Sequence, residues 1–421
     1  MEQAVSQEQA RTSTIPLEGY DIIMLALPRF DGPYASNSYS IAREFAKTHR
    51  VFLIDNPYTI KDYLSERKQP TVKRRKEALL KGKNIYYKPE GVEGDLTVVT
   101  PKLVYPINWM NPGGLYESLS KINDKIVYKT IERILRDHNV ERFMYFNSYH
   151  PLFGKYFPDS WQPDFDVYHC MDDVAHSEYL DRHGPEREDY LVARADLTIT
   201  TSRELCRLKK KASDKVVYLP NAAYSHIFRK AVENDLPRPE EMKGLEGKKV
   251  IGYTGNLDTR PNYPLIRKVA EQHKDKVIVL VGPRNSKEIK EQRLDEMDNI
   301  IFTGSKKLEE LPGYLKYMDA VMIPFKCNTL TRSIYPLKIN EYLAAGRAVI
   351  STRFSEDIQD FEEVIRLADS EDEFVRLAGE AAEGSTNEEI KKRMAVADSN
   401  TWEKRVKQFW QLVAERTESL Q

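Results

Sequence analysis

Residues 328–352 read NTLTRSIYPLKINEYLAAGRAVIST, and the fold of the second half of the chain turns on how this stretch divides. The preceding residues 320–325 (AVMIPF) are an apolar run fit for a buried strand, and residues 347–352 (RAVIST) are another. Residues 337–345 between them have helical composition, with Pro336 at the first turn and Gly346 placed to stop the helix. The order is strand, loop, helix, strand, so the helix starts outside the carboxyl end of a parallel strand. Ligands of open α/β sheets collect there, and helix N-termini favour phosphate. Glu341 stands about one turn into this helix between apolar neighbours. A carboxylate so placed accepts two hydrogen bonds from a vicinal diol such as a ribose, or else it is a solvated side chain that complements the helix dipole.

Working outward, a second series of strands opens at residues 250–257 (VIGYTGNL). Gly252 and Gly255 let backbone pass close to a ligand, and the amides after Gly255, beginning with Asn256, can face a diphosphate. Arg260 adds a cation that Asp258 beside it can neutralise. Strands at 277–281 and 300–302 are followed by Gly282 and by Gly304-Ser305. Glycines thus recur at the carboxyl ends of successive strands, as a nucleotide-sized crevice requires.

In the first half, residues 21–27 and 51–55 are strands flanking a helix through Phe45, a βαβ unit. Its first loop carries Gly32, Ser36 and Asn37 but no G-x-G-x-x-G, so a dinucleotide fingerprint is absent. Ser36 and Asn37 can cap the helix or bind an anion, and with Gly32 they are candidates to bind an acceptor. Residues 61–88 are crowded with Lys and Arg among Tyr63, Leu64, Leu79, Leu80, Tyr86 and Tyr87, a pattern for resting on anionic lipid or for a solvated helical hairpin. Strands at 96–99, 142–146 and 166–170 and a helix at 122–137 follow. His150 stands just past one strand end, and Asp172 and Asp173 just past the next, where an α/β sheet presents functional groups; the two carboxylates can bind a hydroxyl-rich acceptor or cap the following segment. After a helix at 190–195, strands at 196–200 and 216–219 complete the half. These readings put an N-terminal domain at 1–230, a Lys/Glu/Pro-rich linker at 231–249 and a C-terminal domain at 250–399.

With 421 residues the chain suits two α/β domains of about 200 residues each. Its 64 Lys+Arg balance 65 Asp+Glu, so nothing global implies a nucleic-acid partner. Cys170, Cys206 and Cys327 lie far apart without a C-x-x-C, which argues for a reducing compartment and against zinc or a disulfide framework. The start of the chain is polar with no apolar signal core, and no apolar run approaches the ~20 residues of a spanning helix. The expectation is a cytoplasmic protein, peripheral at most on the inner face of the cell membrane.

Residues 253–257 (YTGNL), Gly304, Pro324-Phe325 and the run from Pro336-Leu337-Lys338 through Glu341-Tyr342-Leu343-Ala344-Ala345-Gly346 to Thr352 resemble the donor half of retaining GT-B glycosyltransferases of family 4. The likeness is closer to those of teichuronic-acid, capsule and exopolysaccharide type. Ala195-Asp196-Leu197 through Ser202 is similar to another family segment, and Pro220-Asn221 resembles its P-N-G hinge. The resemblance implies two Rossmann-like domains facing a cleft, with the last helix, residues 400–421, crossing back to the first domain. It implies a nucleotide-sugar held mainly by the C-terminal domain and a saccharide or lipid-linked acceptor held by the N-terminal one, with no cofactor. By the match, Glu341 holds the ribose hydroxyls, Asn256 and Lys338 face the phosphates, Gly304 and Ser305 line the base, and His150 approaches the transferred sugar.

The sequence departs from the family where Ser333 replaces the first acid of E-x7-E and where Asn256 stands at the phosphate-binding Arg position. Arg332, Arg260 and Lys338 then share the cationic duty, since a departing diphosphate needs cations or amides around it. That arrangement is metal-independent. Two other classes share such a cleft: a nucleotide-sugar epimerase, for which Asp172 and Asp173 are the available carboxylates, and a non-enzymatic two-lobed ligand-binding protein.

Overall fold

The computed structural model describes residues 19–32 and 36–420; the polar N-terminal stretch and residues 33–35 of the first loop lie outside the described residues. The first lobe is one sheet of β1 (Asp21–Ala26), β2 (Arg50–Ile54), β3 (Tyr86–Tyr87), β4 (Asp95–Val99), β5 (Phe143–Ser148), β6 (Phe165–Cys170), β7 (Leu197–Thr200) and β8 (Val216–Tyr218). Its order is β3-β4-β2-β1-β5-β6-β7-β8, parallel except for the edge pair β3/β4. The second lobe holds β9 (Val250–Thr254), β10 (Val277–Val281), β11 (Ile300–Gly304), β12 (Ala320–Ile323), β13 (Ala348–Thr352) and β14 (Arg366–Ala368). These run in the order β11-β10-β9-β12-β13-β14, all parallel.

Near-continuous apolar runs such as VIVLV in β10 follow from burial on both faces of a parallel sheet. In the first lobe, alternate residues of β1 face opposite cores. Ile22 and Met24 pack with the helix Asn37–Ala46, and Ile23 and Leu25 pack with the helix Gly114–Asp137. The last helix, Trp402–Leu420, returns to the first lobe: Trp402, Phe409, Trp410 and Val413 are buried beside Phe45 and Phe146. In each sheet the direction of strand addition reverses, between β1 and β5 and between β9 and β12. Such switch points leave a crevice at the carboxyl edge.

Several elements differ from the sequence reading. The helix expected from residue 122 begins at Gly114, because a Gly-Gly start and the exposed Leu115 and Ser118 hide its first two turns from apolar periodicity. The helix expected at 190–195 begins at Gly184, its early turns carrying Pro185, Glu186, Arg187 and Glu188. The segment read as a linker is fastened to the second lobe. Met242 and Leu245 enter that core, Tyr317 donates to the Leu236 carbonyl at 2.6 Å and Lys316 to that of Asn234 at 2.7 Å.

Nor is the basic stretch a simple hairpin. It folds into short helices Ile60–Glu66, Pro70–Arg74 and Lys76–Lys81, with Val72 and Leu79 packed on Tyr58. Arg75 is buried and grips Asp31 through both guanidinium nitrogens (2.6 and 3.0 Å) and Asp55 at 2.9 Å. Burial pushes the Asp55 carboxyl up while Arg75 pulls it back, so the segment is pinned to the loop after β1.

Candidate active site

The helix Leu337–Ala344 starts from Pro336 and has no side-chain cap. Among the described residues no backbone carbonyl takes the N–H of Tyr335 or Lys338, which leaves two donors at the head of this helix. Tyr342 anchors the helix: its hydroxyl accepts the Thr254 N–H at 2.8 Å, at the carboxyl end of β9. Lys338 and Glu341, one turn apart, share the face toward the crevice and are both half-buried. Among the described residues neither charge has a hydrogen-bond or ion-pair partner. Burial lowers the Lys338 ammonium, Arg260 lowers it further, and Glu341 and Asp258 oppose both. Burial raises the Glu341 carboxyl, and Lys338 opposes it. Two unpaired, partly desolvated charges facing a cleft are poised for a ligand that carries the complementary groups.

Glycines shape the floor. Gly255 has φ +130°, and a β-carbon there would sit 2.7 Å from Lys338 Nζ. Gly282 has φ +149°, and its β-carbon would collide with the Gly255 carbonyl at 1.9 Å. The series of glycines thus brings three strand ends close enough for backbone to form the crevice wall. Gly304, at φ +72°, ends β11 and is followed by the exposed Ser305; beside them Arg284 lies 4.6 Å over the Phe302 ring. Asn256 carries its side chain at the crevice, where its Oδ1 accepts from Asn285 at 2.8 Å, and its own N–H has no backbone acceptor among the described residues.

The remaining candidates fall into different situations. Arg260 is held by Asp258 through 2.9 Å bonds from Nε to both carboxylate oxygens, so much of its charge is neutralised locally. Arg332 is exposed; behind the larger effect of Arg207 it helps hold Glu204 of the first lobe low. Ser333 is buried, and its carbonyl accepts the Ser202 hydroxyl from the first lobe at 2.8 Å.

On the first lobe, the Asp172 side chain is exposed at the end of β6; desolvation by the surrounding protein raises its carboxyl, and Arg260 of the second lobe lowers it. Asp173 is engaged, capping Ala175 N–H at 3.0 Å and pairing with His176 at 3.0 Å. Ser36 occupies the N-cap but makes no cap bond, and Asn37 donates to Asn221 at 2.9 Å, so the expected capping role is not what these side chains do. Gly32 is exposed in the loop after β1, its N–H on the Arg29 carbonyl at 3.0 Å.

His150 is fully buried, with Nε2 3.1 Å from Asn56 Oδ1 and its ring against Phe153; burial depresses it to about 3. At neutral pH it is an uncharged ring with no surface on the cleft. Sequence reasoning missed His169, which is also buried and depressed to about 3. Its Nδ1 meets Ser148 at 3.2 Å, and Ser148 meets Ser38 at 2.7 Å. It also missed the cross-lobe contacts: Ser202 with Ser333, His176 with Thr329 at 3.1 Å, and Arg203 with Asp357 at 3.5 Å and Asp360 at 2.9 Å. These set the carboxyl ends of β6 and β7 against those of β12 and β13, which makes the space between the lobes one cleft.

Two parallel sheets meeting at their carboxyl edges, one with glycine-ended strands and a charged helix head, define the GT-B class of two-lobed α/β protein. Residues 248–383, essentially the second lobe, match the family of glycosyl transferases group 1. A Bacillus subtilis (strain 168) protein assigned to teichuronic acid biosynthesis as a glycosyltransferase, TuaH, is 28% identical over 165 residues. That match spans 39% of this chain and 38% of the relative. Sucrose-phosphate synthase from Thermosynechococcus elongatus superposes with a TM-score of 0.66 over 95% of this chain and 100% of that one, at 15% identity. Anabaena HepE, solved in complex with UDP and glucose, gives 0.57 over 95% and 100%, at 14% identity. At these identities the solved structures establish the fold.

Proposed function

We propose that the protein is a glycosyltransferase that moves a sugar from a nucleoside-diphosphate sugar to a saccharide or lipid-linked acceptor in the synthesis of a surface polysaccharide or glycoconjugate. The observation that carries this reading is the unpaired pair Lys338 and Glu341, facing the cleft beside the glycine-lined strand ends. Glu341 suits the two hydroxyls of a ribose, and Lys338 with the free amides of Asn256, Tyr335 and Lys338 suits the diphosphate. HepE was solved with UDP and glucose, and the group 1 match covers the lobe that carries these residues.

As the bond from sugar to phosphate breaks, positive charge grows at the anomeric carbon and negative charge on the diphosphate. Lys338 and the amides stabilise the latter in place, without reorganisation and without a metal. Arg260, tied to Asp258, orients Asp258 and faces Asp172 rather than acting as the main cation. In this reading the reaction retains configuration, the departing phosphate accepting the acceptor's proton. His150 works through Asn56 and the loop after β5, holding the acceptor wall rather than touching the sugar. Of the two carboxylates an epimerase would use, Asp173 is already occupied as a cap, which favours transfer.

Anionic lipid contact through residues 61–88 fits the exposed Leu64 and Leu80 among its lysines and would suit a lipid-linked acceptor. Among the described residues no helix is long and apolar enough to cross a membrane. A thermal-shift panel with UDP, GDP, ADP and their sugars tests the reading. One nucleotide is expected to raise the melting temperature and its sugar to be transferred; no response to any of them removes the donor site.

A further inference from the structure

On the first lobe, the helix Gly114–Asp137 and residues 155–160 form the walls of a groove of about 780 Å³. Lys121, Lys125 and Lys129 stand along it at intervals of four residues, so their ammonium groups step about 6 Å apart along the helix. Among the described residues none of the three has an ion-pair partner. Lys155 belongs to the other wall and is held by Glu186 at 2.7 Å. The rings of Tyr128 and Tyr156 line the same groove, and Lys121 Nζ lies 5.1 Å from the Tyr156 centroid. Glu132 and Asp159 are the carboxylates in the lining, so ammonium groups outnumber them.

The groove is held open by buried groups. Asp124 is fully buried and accepts the N–H groups of Gly154 at 3.0 Å and Tyr156 at 2.7 Å. Glu117 accepts the Tyr156 hydroxyl and the Arg187 guanidinium, the latter at 2.9 Å. Both walls are therefore fixed before any ligand arrives, which lowers the ordering cost of binding.

We propose that this groove binds an acidic polysaccharide, a chain of sugars bearing carboxylates. Regular spacing of cations along an extended groove suits a polymer with repeating negative charge better than a single phosphate. Aromatic faces beside the lysines add apolar contact for sugar rings with a polar tip for their hydroxyls. A concave floor receives a chain, whereas a lipid surface meets a protruding one. The proposal does not depend on the donor reading, because none of these residues belongs to the donor crevice.

The test measures binding of oligogalacturonate to the full chain by calorimetry, beside neutral dextran oligosaccharides and phosphatidylglycerol vesicles. Oligogalacturonate is expected to bind, dextran not, and rising salt to weaken the binding. The double variant Lys121→Gln/Lys125→Gln should bind at least tenfold more weakly while its melting temperature still responds to nucleotide as the parent's does. Absence of oligogalacturonate binding, or equal binding by the double variant, overturns the proposal. Vesicle binding that exceeds oligogalacturonate binding and is lost in the same variant also overturns it, by assigning the groove to a membrane.

Discussion

Lys338 Nζ lies 2.7 Å from the point a β-carbon on Gly255 would occupy. The cation and the strand end are therefore fitted to each other, and only glycine leaves room. Gly255→Ala is expected to push the ammonium aside and to strain a backbone held at φ +130°, costing roughly 1–3 kcal/mol of stability. Nucleoside-diphosphate affinity should fall about tenfold or more in the fraction that remains folded. Calorimetric titration beside a urea melt separates the two effects, and unchanged affinity would mean that Lys338 does not face the diphosphate.

Glu341→Ala should weaken a ribonucleoside diphosphate by about 2 kcal/mol, roughly 30-fold, through loss of two charge-assisted bonds. The 2′,3′-dideoxy nucleotide, which lacks the diol, should bind parent and variant alike. An equal loss for both nucleotides would move Glu341 off the ribose.

Burial raises the Glu341 carboxyl, so it takes up a proton at a higher pH than the ordinary value of about 4.3. The charged form is the one that accepts both hydroxyls. Donor affinity should thus decline as pH falls from neutral, with a midpoint above the usual carboxylate range, and Glu341→Gln should flatten the profile. A profile that is flat in the parent contradicts the assignment.

His169 is depressed to about 3 by burial, whereas an unfolded histidine titrates near 6.5. Between those values the unfolded chain binds a proton that the folded chain refuses, so stability falls as pH falls. The loss is about 1.4 kcal/mol per pH unit for this residue. His169→Gln should therefore show a shallower decline than the parent in urea melts between about pH 6 and pH 4. Parallel slopes would place a proton or water on the buried ring.

Phe409, on the returning helix, packs against Phe45 at 5.2 Å and Phe146 at 5.7 Å. Phe409→Ala is expected to cost about 3–5 kcal/mol and to unfold the first lobe earlier, although the residue lies at the far end of the chain. A variant whose first-lobe transition does not move would show the helix to be an accessory.

The donor crevice was legible in the sequence because its marks are local. Gly255, Gly282 and Gly304 follow apolar runs directly, and Pro336, Glu341 and Gly346 lie within one helical segment. What escaped were pairs far apart in the chain. Nothing in the charge pattern of residues 61–88 distinguishes Arg75, buried between Asp31 and Asp55, from its exposed neighbours. Ser202 caps its helix by accepting the Leu205 N–H, yet the same hydroxyl also donates across the cleft to the Ser333 carbonyl. Met242 and Leu245 sit in a polar stretch whose composition signals a linker, and their burial depends on a core assembled from the rest of the lobe. The position of His150 at a strand end suggested exposure, but the loop carrying Phe153 covers the ring.

The second lobe is expected to grip a nucleoside diphosphate between Glu341 and Lys338. Crystals soaked with the nucleotide that gives the largest thermal shift address it most directly. Density is expected with the ribose hydroxyls on the Glu341 carboxylate and the diphosphate against Lys338 and the Asn256 amide. Density at another place on the chain, with Glu341 and Lys338 left unliganded, would contradict it.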